Sequence, residues 1–184
     1  MNDLKFTYEV IAAIRKSEEF NKAILSDCDI IFDLNPDIFT IRSRADASHK
    51  NNKLYFIHLD LTTGIGKDKN GILFAKRLGT DGIISTRVNL IKTAREAELI
   101  TVQRFFIVDS HSIETTIDAV KTSKPHMIEI MPGIIPKAIT RIKSQLDTTL
   151  IAGGIIDTRS EVESIIMSGA AAVSSGNESL WHRQ

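Results

Sequence analysis

Cysteine occurs once in the 184 residues, tryptophan once, tyrosine twice and proline four times. A single thiol, Cys28, cannot close an internal disulfide, so the core must hold the fold without a covalent staple. Its neighbours Ile30, Ile31 and Phe32 make it a buried structural thiol. An excess of one charge is missing too. The 23 Lys and Arg match the 23 Asp and Glu, so the whole-molecule field draws neither nucleic acid nor anionic lipid, and any RNA contact must rest on a local patch. No stretch approaches the ~20 apolar residues of a membrane-spanning helix. The first ten residues mix Asp3, Lys5 and Glu9 with apolar ones, unlike a secretory leader, and the expectation is a cytoplasmic protein. His111, His126 and His182 lack ligand spacing, and nothing resembles zinc or calcium loops, so neither metal nor cofactor is expected.

What is present is one grammar repeated along the chain: a short apolar β-branched run, a polar or glycine-bearing loop, then a segment of helical periodicity. The expected strands are 10–14, 29–34, 54–61, 82–85, 101–108, 127–131, 149–152 and 171–174. Ser17 is a plausible N-cap for the first helix, and Gly79 a C-terminal cap for the helix through Ile72, Ala75 and Leu78. The segment 35–52 is polar, with Ile38, Phe39 and Ile41 as a short helical stripe, and is the weakest of the βα units. Eight strands alternating with helices close into a parallel barrel, because right-handed crossovers wrap the sheet until its edges meet. The predicted fold is therefore a small α/β protein, one (β/α)8 TIM-barrel domain over residues 1–184. An open doubly wound sheet is the rival.

Two glycine-bearing loops follow the last two strands: Gly153 and Gly154, then Ser174, Ser175 and Gly176. Barrels commonly hold phosphate at these places, since glycine lets a backbone amide approach an anion closely and a following helix start adds positive charge. The hydroxyls of Ser174 and Ser175 could donate as well. The same glycines also suit tight βα turns for steric reasons alone.

A second set is polar where a barrel interior is normally apolar: Arg15 after strand one, Asp33 ending strand two, His58 and Asp60 at spacing two on strand three, Arg104 and Glu129 in strands five and six. These residues suit a polar ligand. They could equally satisfy one another, with Arg104 paired to Glu129 or Asp60. Lys67, Lys69 and Arg87 lie in or beside loops on the same face. Arg42, Arg44, His49 and Lys50 form the one basic cluster a nucleic acid could use.

The segments Val10 to Arg15, His58-Leu59-Asp60-Leu61, Asp81 to Thr86, Gln103-Arg104-Phe105-Phe106, Glu129 to Lys137, Ala152-Gly153-Gly154 and Ala171 to Ser175, in that order, resemble the glycerol-3-phosphate-responsive antiterminator family of bacterial glycerol uptake operons. The resemblance spans nearly the whole chain. It implies a (β/α)8 barrel that binds glycerol 3-phosphate and acts on leader mRNA to prevent premature transcription termination. By the same resemblance, Gly153, Gly154, Ser174 and Ser175 form the phosphate site, and Arg15, His58, Asp60, Arg104 and Glu129 the polar pocket. A regulator of this kind has no catalytic residue and needs no membrane. A homodimer is the commonest oligomer to expect. The alternative is a barrel enzyme of isomerase, lyase or phosphodiesterase type acting on a phosphorylated triose or sugar. Asp60 or Glu129 would then be its general base and His58 its acid.

Overall fold

Strand and helix alternate as the periodicity requires, and the eight strands pair edge to edge into a closed, all-parallel barrel in sequence order, β1 to β8, with β8 returning to β1. The computed structural model describes residues 6–183. The strands are β1 Val10–Ile14, β2 Ile30–Asp33, β3 Leu54–His58, β4 Gly82–Ser85, β5 Ile100–Phe106, β6 Met127–Met131, β7 Thr149–Gly153 and β8 Ala172–Ser175. The helices are α1 Glu19–Leu25, α2 Ile38–Lys50, α3 Lys69–Arg77, α4 Val88–Glu96, α5 Ser110–Ser123, α6 Pro136–Lys143 and α7 Arg159–Met167. A 3-10 turn, Glu178–Leu180, follows β8. No helix among the described residues is long and apolar enough to cross a membrane.

Alternation along each strand divides the core in two. Ile11, Ile30, Phe32, Phe56, Ile84, Val102, Met127 and Ile151 fill the barrel interior. A larger cluster, including Ile31, Tyr55, Ile57, Ile83, Ile128 and Leu150, packs the outside of the strands against the helices. Both faces of every strand are thus buried, the usual state of a parallel sheet. A typical barrel needs ~250 residues; this one is shorter because its helices run to roughly two to four turns and its connections are brief.

Segment 35–52, the least legible unit, holds a regular 13-residue helix, Ile38–Lys50. Its buried side is narrow: Ile41 and Ala45 one turn apart, with Arg44 and Ser48 beside them. The inward polar groups are satisfied locally. Arg44 Nη1 donates to Asp33 Oδ2 at 2.5 Å, Arg44 Nη2 to Ser17 Oγ at 2.8 Å, and the Tyr55 hydroxyl donates to the same Asp33 oxygen at 2.6 Å. A helix whose inward face carries an arginine and a serine leaves a weak apolar stripe in the sequence, and the burial is nonetheless complete.

Other boundaries shift for physical reasons. Strand β3 stops at His58, and Leu59–Leu61 turns into a 3-10 element, so His58 and Asp60 do not share a strand face. Ser17 does not cap α1; Glu19 reaches back instead, its Oε2 accepting from the amides of Arg15 at 2.7 Å and Lys16 at 3.0 Å. Asp109 caps α5, with Ser112 completing a reciprocal box. Gly79 follows α3 at φ +93°, the left-handed conformation a helix terminator needs.

Candidate functional site

The upper interior layer of the barrel, at the C-terminal ends of the strands, is polar. Glu129 on β6 is fully buried, and both its carboxylate oxygens are taken. Arg104 Nε on β5 donates to Oε2 at 2.6 Å, and Ser174 Oγ on β8 donates to Oε1 at 2.5 Å. Strands β5, β6 and β8 thus share one charge-neutral unit. No protein acceptor among the described residues takes the remaining guanidinium N–H groups of Arg104, which lines the cleft above. The carboxylate fixes the inner edge of the guanidinium and leaves its outer edge for a ligand.

That cleft holds about 450 Å³, within the ~300–1,000 Å³ usual for small-molecule sites. It is lined by Arg15 after β1, Arg104 on β5 and Glu129 on β6, and by Gly154, Ile155, Ser174, Ser175 and Gly176 from the last two strand ends. Gly154 and Ile155 both lie in the left-handed region, at φ +79° and +58°. For a β-branched residue such as Ile155 that is a strained conformation. Among the described residues, the amides of Gly154, Ile155 and Gly176 donate to no protein acceptor. A row of unclaimed N–H donors on the lining of a polar cleft suits an anion. Arg15 adds an exposed cation whose guanidinium has no partner among the described residues. Two carboxylates besides Glu129 share the lining: Glu19, turned onto backbone amides, and Asp157, which is exposed.

The two loops are stitched together. Ser175 Oγ donates to the Ile156 carbonyl at 2.9 Å and accepts from the Asn177 amide at 3.0 Å, and Asn177 Nδ2 donates to the Asp157 carbonyl at 2.8 Å. Trp181 Nε1 anchors the Ser175 carbonyl at 2.8 Å from below. The hydroxyls of Ser174 and Ser175, expected to donate to a ligand, therefore donate within the protein. The free donors are backbone amides.

Gly153 lies behind the lining. A methyl group added there would stand 2.6 Å from Glu129 Oε1 and closer still to Ser174 Oγ. Its lack of a side chain is what lets Glu129 and Ser174 meet. Gly176 is the opposite case, exposed, with an added carbon meeting only the Ala13 carbonyl at 3.5 Å.

The remaining polar residues fall elsewhere. His58, almost fully buried, has an Nδ1 with no hydrogen-bond partner; burial first, then the Arg104 charge, push its pKa down to about 4. It is a neutral neighbour of the Arg104–Glu129 pair and is not part of the cleft lining. Asp60 points away from the cleft, accepting from the Ser85 and Thr86 hydroxyls and the Thr86 amide, with Arg87 Nε at 3.4 Å. Lys67 spends its ammonium on the Thr62 and Ile65 carbonyls. The basic cluster also dissolves: Arg44 is buried on Asp33, His49 pairs with Asp81 at 2.8 Å, Arg42 with Asp46 at 3.2 Å, and Lys50 remains as an exposed cation. Sequence reasoning missed Glu19, Ile155 and Asn177. A Gly-Asn pair just before a helical turn is a readable cap signal for Asn177, whereas a left-handed isoleucine leaves no trace in the sequence.

Fold and site together define a single-domain (β/α)8 barrel with a polar cleft built from its last two βα loops and a buried Arg–Glu pair. Residues 10–181 match the family model of the glycerol-3-phosphate responsive antiterminator, and the chain belongs to that family. It is 35% identical over 173 residues to the uncharacterized protein YgcP of Escherichia coli strain K12, covering 94% of this chain and 91% of that one. Among solved structures it is similar to the glycerol uptake operon antiterminator regulatory protein of Listeria monocytogenes, with TM-score 0.89, 30% identity, and 97% and 98% of the two chains covered. A glycerol uptake operon antiterminator-related protein of Thermotoga maritima is similar too, with TM-score 0.84, 28% identity, and 95% and 98% coverage.

Proposed function

We propose that the chain is a metabolite-responsive regulator whose cleft takes glycerol 3-phosphate and whose loaded form acts on leader mRNA to prevent termination in a glycerol uptake operon. The observation that carries this reading is the row of unclaimed amides at Gly154, Ile155 and Gly176 in the cleft that Arg104 also lines. The phosphate sits against the amides and Arg15, and the glycerol hydroxyls reach toward Arg104. No cofactor is needed. The family membership supports the metabolite and the RNA role. A switch of this kind requires the ligand to favour one of two states by differential affinity.

Catalysis with Glu129 as general base is the weaker reading, because both its oxygens are engaged and a base needs a free lone pair facing the substrate proton. Lysine is absent from the cleft lining among the described residues, which disfavours a covalent imine route.

The test is calorimetry with glycerol 3-phosphate, glycerol and inorganic phosphate on the wild type and Gly176→Val. The variant places a side chain over a free amide without meeting packed atoms, so folding is kept and affinity for the phosphorylated compound falls by ~10-fold or more, the equivalent of one charge-assisted hydrogen bond. Equal affinity in a folded Gly176→Val protein would remove the phosphate site from these loops. Leader RNA retention, measured with and without glycerol 3-phosphate across a salt series, tests the second half. Identical retention in both arms defeats the switch.

A further inference from the structure

Six of the ten large apolar side chains that stand exposed among the described residues crowd the rim of the barrel mouth: Phe39, Leu61, Phe106, Val108, Ile134 and Ile155. Singly exposed apolar residues are ordinary, but a cluster on one face marks an interaction surface. Phe39 is 91% exposed at the start of α2, beside Asp37. Across the mouth, between the starts of α5 and α6, lies a second cleft of about 260 Å³. Its floor is apolar, from Ile107, Ile113 and Ala138; Val108, 83% exposed, forms its lip; and Lys137 and Arg141 stand on its wall. Arg141 is only loosely held, 3.5 Å from Glu114, and the one carboxylate in the cleft, Asp109, is turned onto the Ser112 amide.

We infer that this face binds a second copy of the chain, mouth to mouth about a two-fold axis, with Phe39 of each copy seated in the α5–α6 cleft of the other. A two-fold interface demands that a surface contain both members of each contact. Knob and hole lie on the same face, nearly opposite one another around the eight-stranded ring, and an axis in the plane of the mouth midway between them exchanges the two. Charge agrees, since Asp37, half-buried and accepting from the Phe39 amide as the cap of α2, would arrive beside Lys137 and Arg141. An RNA strand is the poorer occupant, because four of the six rim residues are aliphatic and cannot stack on bases, and the chain has no net charge to hold a polyanion. A stable pairing needs ~800 Å² from each partner, about a tenth of this chain's 9037 Å², an area the mouth with its six apolar residues can supply. The pairing would roof the cleft described above, and it stands independently of which metabolite binds there.

Sedimentation velocity over a wide concentration range tests it on the chain alone. Wild type is expected to show a concentration-dependent dimer. Phe39→Asp and Val108→Asp, both at exposed positions that spare the fold, should each weaken it ~30-fold or more, as loss of a buried anchor does. Leu25→Asp, on an exposed position at the end of α1, should leave it unchanged. Mixing the two defective variants restores one intact knob-and-cleft contact, so the mixture should dimerise more tightly than either alone. A wild type monomeric throughout, or a dimer indifferent to Phe39→Asp and Val108→Asp, overturns the inference. So does a variant that loses RNA retention with its mass unchanged, which would assign the face to nucleic acid.

Discussion

Replacing Glu129 by Gln separates the structural and functional roles of the buried pair. The variant is isosteric: its carbonyl can still accept from Arg104 Nε, and its amide can donate to the Ser174 hydroxyl, so the hydrogen-bond count survives and only the charge is lost. Arg104 would then be an uncompensated cation, 6% exposed, beside a partner position that is fully buried. Breaking such a pair costs ~3–5 kcal/mol when the stranded charge has no access to water. Here the guanidinium opens onto the cleft and keeps some access to water, so the cost falls below that range, to ~2–3 kcal/mol. For a chain of this length that corresponds to a fall in Tm of roughly 5–10 °C.

A bound dianion would supply the missing negative charge. Glycerol 3-phosphate should therefore raise the Tm of Glu129→Gln at least as much as that of wild type, a rise that reaches ~3 kcal/mol of stabilisation at a hundredfold excess over Kd. Scanning calorimetry with and without the ligand reads both quantities. A Tm within ~1 °C of wild type would show that the pair is not energetically coupled. A variant that loses ligand response altogether would show the Glu129 carboxylate to be a direct ligand contact, contrary to the closed geometry.

Other consequences can be checked in the same way. Gly153→Ala should destabilise by ~1–3 kcal/mol, because the new carbon forces Glu129 and Ser174 apart, and urea unfolding measures it. His58 is neutral in the fold between about pH 4 and 6.5, where the unfolded chain carries the proton. The unfolded state binds more protons there, so stability is full above 6.5 and is lost as pH falls toward 4, by about 3 kcal/mol for this group. His58→Gln should flatten that part of the profile relative to wild type, and an unchanged slope would place the titration elsewhere. His126 adds to the slope in the same direction, its pKa lowered mainly by burial. Arg44→Met should cost ~3–5 kcal/mol by stranding Asp33, while Lys50→Ala, at an exposed position, should leave urea unfolding unchanged.

Barrel closure was legible because it depends on pattern. Eight apolar runs at steady spacing, each followed by helical periodicity, leave few other topologies. The site was legible only as far as residue type and strand end determine it. Arg15, Arg104, Glu129, Gly154, Ser174, Ser175 and Gly176 do meet at one cleft, while Gly153 and His58 support it from behind and Asp60 serves the neighbouring loop. The difference between lining and supporting is a matter of one or two ångströms and of where a strand ends. Strand β3 ends two residues before Asp60, and no local signal in His58-Leu59-Asp60-Leu61 announces the 3-10 turn. The basic cluster failed for a related reason. Charges on a polar helix look solvated, and that Arg44 turns inward is decided by Asp33 and Tyr55 on distant strands.

The adjacent glycines 153 and 154 show why a Gly-Gly pair after a strand carries two meanings at once. The first is demanded by packing: without the empty volume at Gly153, β6 and β8 could not share a carboxylate and a hydroxyl across β7. The second is demanded by backbone conformation, since Gly154 sits at φ +79° and begins the turn that leaves its amide and that of Ile155 unclaimed. One glycine thus fixes the charge-neutral floor on which Arg104 is oriented, and the next shapes the donors that share its cleft. A substitution at 153 should lower stability first and affinity as a consequence. One at 176, where nothing is packed, should lower affinity alone. If the two variants instead lost stability and affinity in the same proportion, floor and donor row would be one structural unit, and the cleft could not respond to a ligand without loosening the barrel beneath it.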